Sequence, residues 1–134
     1  MKPILTIILF AFFMAPASAC RTPWQACWFG QELNDGQCVG DIKIVSPYEA
    51  KLWLQHNPDW RLPSKQELLE FFFNNQSQAL RQQALSAGYD AVLTAEVMQH
   101  GNELLAVSVN MSNGAVELQP WQQPLLIILR ETSW

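Results

Sequence analysis

The chain has 134 residues, 49% of them hydrophobic, with eight basic and twelve acidic side chains and a formal net charge of −4. That length holds one domain, two at most. The acidic balance argues against nucleic acid, sulfated polysaccharide or an anionic membrane surface as the main partner.

The N-terminus carries an export signal. Lys2 is followed by an apolar run from Ile4 to Met14 and by Ala15-Pro16-Ala17-Ser18-Ala19, which is a charged start, a hydrophobic core and a small-residue exit. About eleven apolar residues fall short of the ~20 that a transmembrane helix requires, so residues 1–19 read as a removed signal peptide. Removal takes Lys2 with it and leaves a net charge near minus five. Two versions of processing stay open. Ala17-Ser18-Ala19 fits an ordinary small-x-small cleavage site, giving a periplasmic or secreted protein. The same residues followed by Cys20 also resemble a bacterial lipobox, in which Cys20 is diacylated and the mature protein is a lipoprotein. Cysteine parity favours the second, since three cysteines in an oxidising compartment leave one over. With Cys20 lipidated, Cys27 and Cys38 remain as a pair, and Arg21 after the cysteine resembles the pattern sorted to the outer membrane.

Residues 20–26 read as a short tether, and the domain proper as 27–134. Asn34-Asp35-Gly36 is a turn signal, because these residues tolerate left-handed backbone. It folds the chain back and brings Cys27 and Cys38 close enough to bridge, which stabilises the loop by roughly 2 to 3 kcal/mol. Metal binding by these cysteines is the competing reading; it lacks third and fourth ligands at sensible spacing. Ile42 and Ile44 alternate with polar residues as a strand ending at Val45. Ser46-Pro47-Tyr48-Glu49 repeats the capping logic, with Ser46 as N-cap, Pro47 at the first helical position and Glu49 closing the box, so a helix is expected over 47–56 with Tyr48, Leu52 and Trp53 inward. Asn57-Pro58 ends it.

The next stretch organises the chain. Pro63 holds Leu62 extended, Ser64 caps a helix, and Glu67 three residues on closes a capping box. Leu68, Leu69, Phe71, Phe72 and Phe73 give that helix its apolar face, to about Asn74. Trp60 and Leu62 alternate with Arg61, so two large side chains turn inward and the guanidinium turns out or into a polar pocket. Arg61 is either a ligand contact or a structural clamp on carbonyls or a neighbouring carboxylate, and the clamp is the expected role.

After a polar break at Asn74-Asn75-Gln76-Ser77, a third helix is expected over 78–87 with Leu80, Ala84 and Leu85 inside, stopped by Gly88. Strands follow at 91–97, 104–110 and 115–119, with turns at His100-Gly101-Asn102 and Ser112-Asn113-Gly114. The last run, 125–131, opens with five continuous apolar residues, which suits a central strand covered on both faces. Two to three short helices followed by an antiparallel sheet make the fold class α+β.

Catalytic signals are sparse. His56 and His100 stand beside no acid or nucleophile in a recognisable arrangement, and the carboxylates are scattered singly. No calcium loop, phosphate-cradling glycine loop or nucleophile elbow occurs. The chain therefore reads as non-enzymatic and without a cofactor. Trp24, Trp28, Trp121 and Trp134 fall in predicted loops or at termini, where exposed indoles stack on sugar rings or, more simply, cover a small core. Trp121 and Arg61 are the candidate ligand-binding residues.

The pattern Cys27-x-x-Gly30, Gly36-x-Cys38-x-Gly40, Glu49-Ala50 and Asp59-Trp60-Arg61-Leu62-Pro63-Ser64-x-x-Glu67-Leu68 resembles the DUF1566 family, also called the Lcl C-terminal domain after a bacterial collagen-like adhesin. Asn110-x-x-Asn113-Gly114 and Ile127-Ile128-Leu129-Arg130 are similar to the family's ending. The resemblance spans nearly the whole mature chain. It implies a C-type-lectin-like fold in an exported bacterial protein, often in adhesive settings, with no established enzymatic activity. It makes Trp60, Arg61, Leu62, Pro63, Ser64 and Glu67 the family's structural motif. The chain departs from the family where a Tyr-Trp-Ser-Ser-Thr-like strand is usual; Ala91-Val92-Leu93-Thr94-Ala95 stands there instead, so a ligand role of that strand does not carry over. The expected function is an extracytoplasmic binding or adhesion module of a bacterial envelope, with an envelope protein or glycan as partner and the membrane reached only through a lipid anchor. The alternative is a structural accessory subunit of an envelope or appendage assembly, with a strand edge pairing to a partner.

Overall fold

Residues 125–129 are the axis of the fold, and all five are buried. In the computed structural model, which describes residues 23–73 and 77–133, this run has hydrogen-bonded neighbours on both sides. Leu125 exchanges both backbone bonds with Val45; Ile127 and Leu129 accept from Phe29 and Gln25, and Glu131 donates to Pro23. The even-numbered residues face the other way. Leu126 donates to Ala91 and accepts from Leu93, and Thr132 donates to Asp59. The expectation of a central run covered on both faces holds, although its partners arrive as separate short pieces, so single bridges replace a regular ladder. The expected signal segment 1–19, Cys20, residues 74–76 of the expected break and Trp134 lie outside the described residues.

Around this axis the elements follow in chain order. A hairpin of β1 (Glu32–Asn34) and β2 (Gln37–Val39) turns at Asp35 and Gly36, both at positive φ. Cys27 and Cys38 are disulfide-bonded, with Cα atoms 5.5 Å apart. The hairpin leads to α1 (Pro47–Gln55), β3 (Trp60–Arg61), α2 (Lys65–Phe72) and α3 (Gln78–Ser86). Then come β4 (Ala91–His100), β5 (Glu103–Asn110) and β6 (Val116–Pro120), an antiparallel meander in that order. The last strand, β7 (Arg130–Glu131), pairs with β3. The class is α+β, with three helices among the described residues.

Side chains alternate along the axis and so build two cores. Leu126 and Ile128 point to the face covered by α2 and α3, with Trp28, Leu68, Phe72, Val92, Val109 and Met111. Leu125, Ile127 and Leu129 point to the opposite face, with Val45, Ala50, Leu93 and Ala106. Trp28 is a core residue rather than a loop indole; its Nε1 donates to the Leu80 carbonyl at 2.8 Å. Gly30 makes the bend after it: φ is +93°, and a Cβ there would lie 2.6 Å from the Lys43 Cβ.

Several local expectations change. Residues 23–26, the end of the expected tether, run against 129–131, and the Trp24 ring stacks on Phe71 at 4.2 Å. The expected strand at 42–45 is reduced to a bridge at Val45; Ile42 and Ile44 pack on one core and Val45 on the other, as strand alternation would place them, but the Lys43 N–H bonds the Phe29 carbonyl and only Val45 pairs with Leu125. On α1, Tyr48 and Leu52 are 55% and 42% exposed, while Pro47 and Ala50 are buried. This helix has apolar residues on most of its circumference, so spacing alone could not orient it. Phe73 and Leu85 are likewise exposed.

Candidate functional site

The local geometry of Trp60–Glu67 follows from the capping box. Ser64 Oγ accepts from the Glu67 N–H at 3.1 Å, and Glu67 Oε1 accepts from the Ser64 N–H at 2.8 Å. Reaching back to the cap also carries the Glu67 carboxylate toward Arg61. Arg61 Nη1 and Nη2 donate to Oε1 and Oε2 at 2.8 and 2.9 Å, a two-pronged contact, and Nη1 also donates to the Leu62 carbonyl. Arg130 completes the group from β7. Its Nε lies 2.8 Å from Glu67 Oε2, with the N–H aimed off the oxygen, so the contact is ionic rather than a hydrogen bond. The same guanidinium lies over the Trp24 ring at 4.9 Å.

One carboxylate thus ties together the start of α2, β3 and β7. The Arg61 hydrogen bonds, helped by the Ser64 N–H and the charge of Arg130, outweigh burial and hold the Glu67 carboxyl down to about 2. The Arg61 guanidinium is pushed up by the same hydrogen bonds. Arg61 is therefore a clamp on a neighbouring carboxylate and a backbone carbonyl, the role that its position between two large apolar residues suggests.

A cleft of about 740 Å³ opens beside this clamp. One wall is a face of α1 carrying Pro47, Lys51, Leu54 and Gln55, positions that fall on one side of a helix. Trp60, Arg61, Leu62 and Ser64 form a second wall, Leu93 to Val97 of β4 a third, and Trp121 from the turn after β6 a fourth. A bulge in β4 shapes the third wall. Leu93 pairs with Ser108 and Val97 with Ala106, so three residues face one on β5. The detached segment is held elsewhere. Thr94 Oγ1 donates to the Val107 carbonyl at 2.8 Å, and the Ala95 N–H donates to the Pro63 carbonyl at 2.7 Å. The Glu96 carboxylate accepts from the Lys65 N–H at the start of α2.

The two candidate ligand residues, Arg61 and Trp121, line the same cleft although sixty positions apart. Trp60, Leu62 and Ser64 of the motif line it too, whereas Pro63 is buried and Glu67 sits behind Arg61. Trp24 and Trp28 take no part: one stacks on Phe71 and the other is in the core. Cys27 and Cys38 lie in the hairpin region, outside the residues that line the cleft. Lys51, Leu54, Glu96 and Val97 were missed by sequence reasoning. For the α1 pair the i, i+3 spacing was a usable signal; for Glu96 and Val97 the bulge hid it, since a strict alternation assigns them to the wrong sides.

Among the described residues no group of three or more His, Cys, Asp or Glu could hold a metal ion. His56 caps the end of α1, and His100 closes β4. No helix of the described residues is long and apolar enough to cross a membrane. Comparison with protein-family models, with curated proteins and with solved structures finds no match for this chain.

Proposed function

We propose that this chain is a non-enzymatic, exported binding module that holds an envelope ligand in the cleft between α1, β3 and the β4 bulge. The observation that carries the reading is convergence: Arg61 and Trp121, singled out separately in the sequence, stand on two walls of one cleft. The Glu67 clamp fixes the wall that carries Trp60 and Leu62, so the cleft is largely pre-formed, as small-ligand sites usually are. The resemblance to the DUF1566 family, with its C-type-lectin-like fold, supports a surface or adhesive setting and is part of the same proposal. So is export through residues 1–19, with Cys20 as lipid anchor or the protein free in the periplasm. Where the family has its Tyr-Trp-Ser-Ser-Thr-like strand, this chain lines the cleft with Leu93, Ala95 and Val97, which points to a ligand of different chemistry.

The test is an array of glycans, envelope polymers and envelope acyl lipids probed with the wild-type protein and Trp121→Ala. Selective binding that Trp121→Ala reduces supports the reading; binding that is indifferent to Trp121, or no binding, counts against it.

A second reading, the structural accessory subunit, draws on the other end of the sheet. Among the described residues no strand pairs with the outer edge of β6, and its Val116 and Leu118 are exposed. The terminal strand cannot serve as that edge, since β7 is paired with β3. Crosslinking in intact cells from a photoreactive residue at position 118 tests it: a single envelope protein captured there favours this reading.

A further inference from the structure

From the chemistry of the lining, and resting on the binding reading above, we infer that the cleft takes an amphiphile with one negative charge, a medium- or long-chain acyl carboxylate. The carbon part of the lining is supplied by Leu54, Trp60, Leu62, Leu93, Val97 and Trp121. Most of its polar groups are already committed. Ser64 Oγ accepts from the Glu67 N–H, Thr94 Oγ1 bonds the Val107 carbonyl and the Glu96 N–H, and Arg61 grips Glu67. The Glu96 carboxylate caps the start of α2. A polyhydroxylated sugar would find few donors and acceptors to replace its water, and such unmade bonds cost more than stacking returns. An acyl chain asks for none.

The charged end follows from α1. Among the described residues the lining polar tips outside any hydrogen bond or ion pair are the indole N–H groups of Trp60 and Trp121, which only donate, and the side chains of Lys51 and Gln55, which stand one turn apart on α1. Lys51 is exposed, so its ammonium is a cation available to an incoming anion in an otherwise acidic chain. Glu96 sets the polarity, because a carboxylate is repelled from the β4 wall and drawn to the α1 wall. The chain then lies along Trp60, Leu62 and Trp121, with its head at Lys51.

The experiment is titration of the purified protein, below micelle-forming concentrations, with dodecanoate, dodecanol and dodecyltrimethylammonium, read by calorimetry and tryptophan fluorescence. Dodecanoate is expected to bind at one site and tightest of the three. Lys51→Glu should weaken it by about fivefold, the scale of an exposed ion pair, and leave dodecanol unchanged. Val97→Asp, at a position that is 54% exposed, should weaken both without unfolding the protein. Equal affinity for the cationic amphiphile, indifference to Lys51→Glu, or no binding of dodecanoate overturns the inference. The two proposals fail separately. Polymer binding lost in Trp121→Ala without any dodecanoate binding overturns this one alone, and dodecanoate binding with polymer binding indifferent to Trp121 overturns the envelope-ligand reading alone.

Discussion

The two faces of the central sheet use the same kinds of residue to opposite ends. On the α2 side Trp28, Phe72, Leu68 and Ile128 are sealed, and even the indole N–H is bonded to a carbonyl. On the α1 side the core of Val45, Leu93, Leu125 and Ile127 is rimmed by half-buried Trp53, Trp60, Leu62 and Trp121, and the rim stays open as a cleft. The difference is structural rather than compositional. Two helices cover the first face, while one short helix and an extended segment cover the second. An open apolar rim persists only if something else holds its walls, and the Glu67 clamp does that with Arg61 and Arg130.

Breaking the clamp should therefore cost most. Glu67→Ala removes the fork to Arg61, the ion pair with Arg130 and half of the capping box, and should lower stability by about 3 kcal/mol in a denaturant titration at neutral pH. The pH dependence has a definite sign. The folded carboxyl is held to about 2, below its ordinary 4.5, so its contribution is fully present above about 4.5 and is lost as pH falls from there toward 2. The wild-type protein should lose stability across that window, and Glu67→Gln should flatten the loss.

The hairpin is next. Reducing or replacing the Cys27–Cys38 bridge should cost roughly 3 kcal/mol for a loop of this length, seen as a lower midpoint in urea. Gly30→Ala combines a positive φ with a steric clash against Lys43 and should cost about 2 kcal/mol, measured the same way. Both changes act at the hairpin and should leave the cleft's ligand preference intact once the protein is folded.

The smallest stability effect belongs to the open rim. Trp121→Ala should lower stability by about 1 kcal/mol or less in the same titration, because its ring is only half-buried, yet it should reduce ligand binding severalfold. If instead it unfolds the protein, Trp121 is a core residue, and the contrast between the two faces fails.

Much of this contrast was legible in the sequence. The Ser64–Glu67 capping box, the Ser46 cap, the α+β class, the meander and the buried run at 125–129 rest on local signals: Ser-x-x-Glu spacing, glycine turns and an unbroken apolar stretch. At Ser46 the expected box is half made, since the Glu49 carboxylate accepts from the Ser46 hydroxyl and not from its N–H. The clamp was half legible. Glu67 was visible as a cap and Arg61 as a clamp in search of a carboxylate, but that the two jobs meet in one side chain depends on the chain reversing between them. Arg130 was out of reach, since its position beside Glu67 is set by the β3–β7 pairing across sixty-nine positions. The facing of α1 was misjudged because Tyr48 and Leu52 are as apolar as the residues that are buried.

The most direct test uses the tryptophans themselves. In an amide and indole N–H correlation spectrum of the purified protein, titrated with dodecanoate and with the polymers selected on the array, the account predicts shifts at the Trp60 and Trp121 indoles and at the amides of Lys51 and 95–97. The Trp24 and Trp28 indoles should stay fixed. Shifts confined to Trp24, Trp28 or the exposed face near Val116 and Leu118 would contradict the claim that the α1-side cleft is where this protein binds.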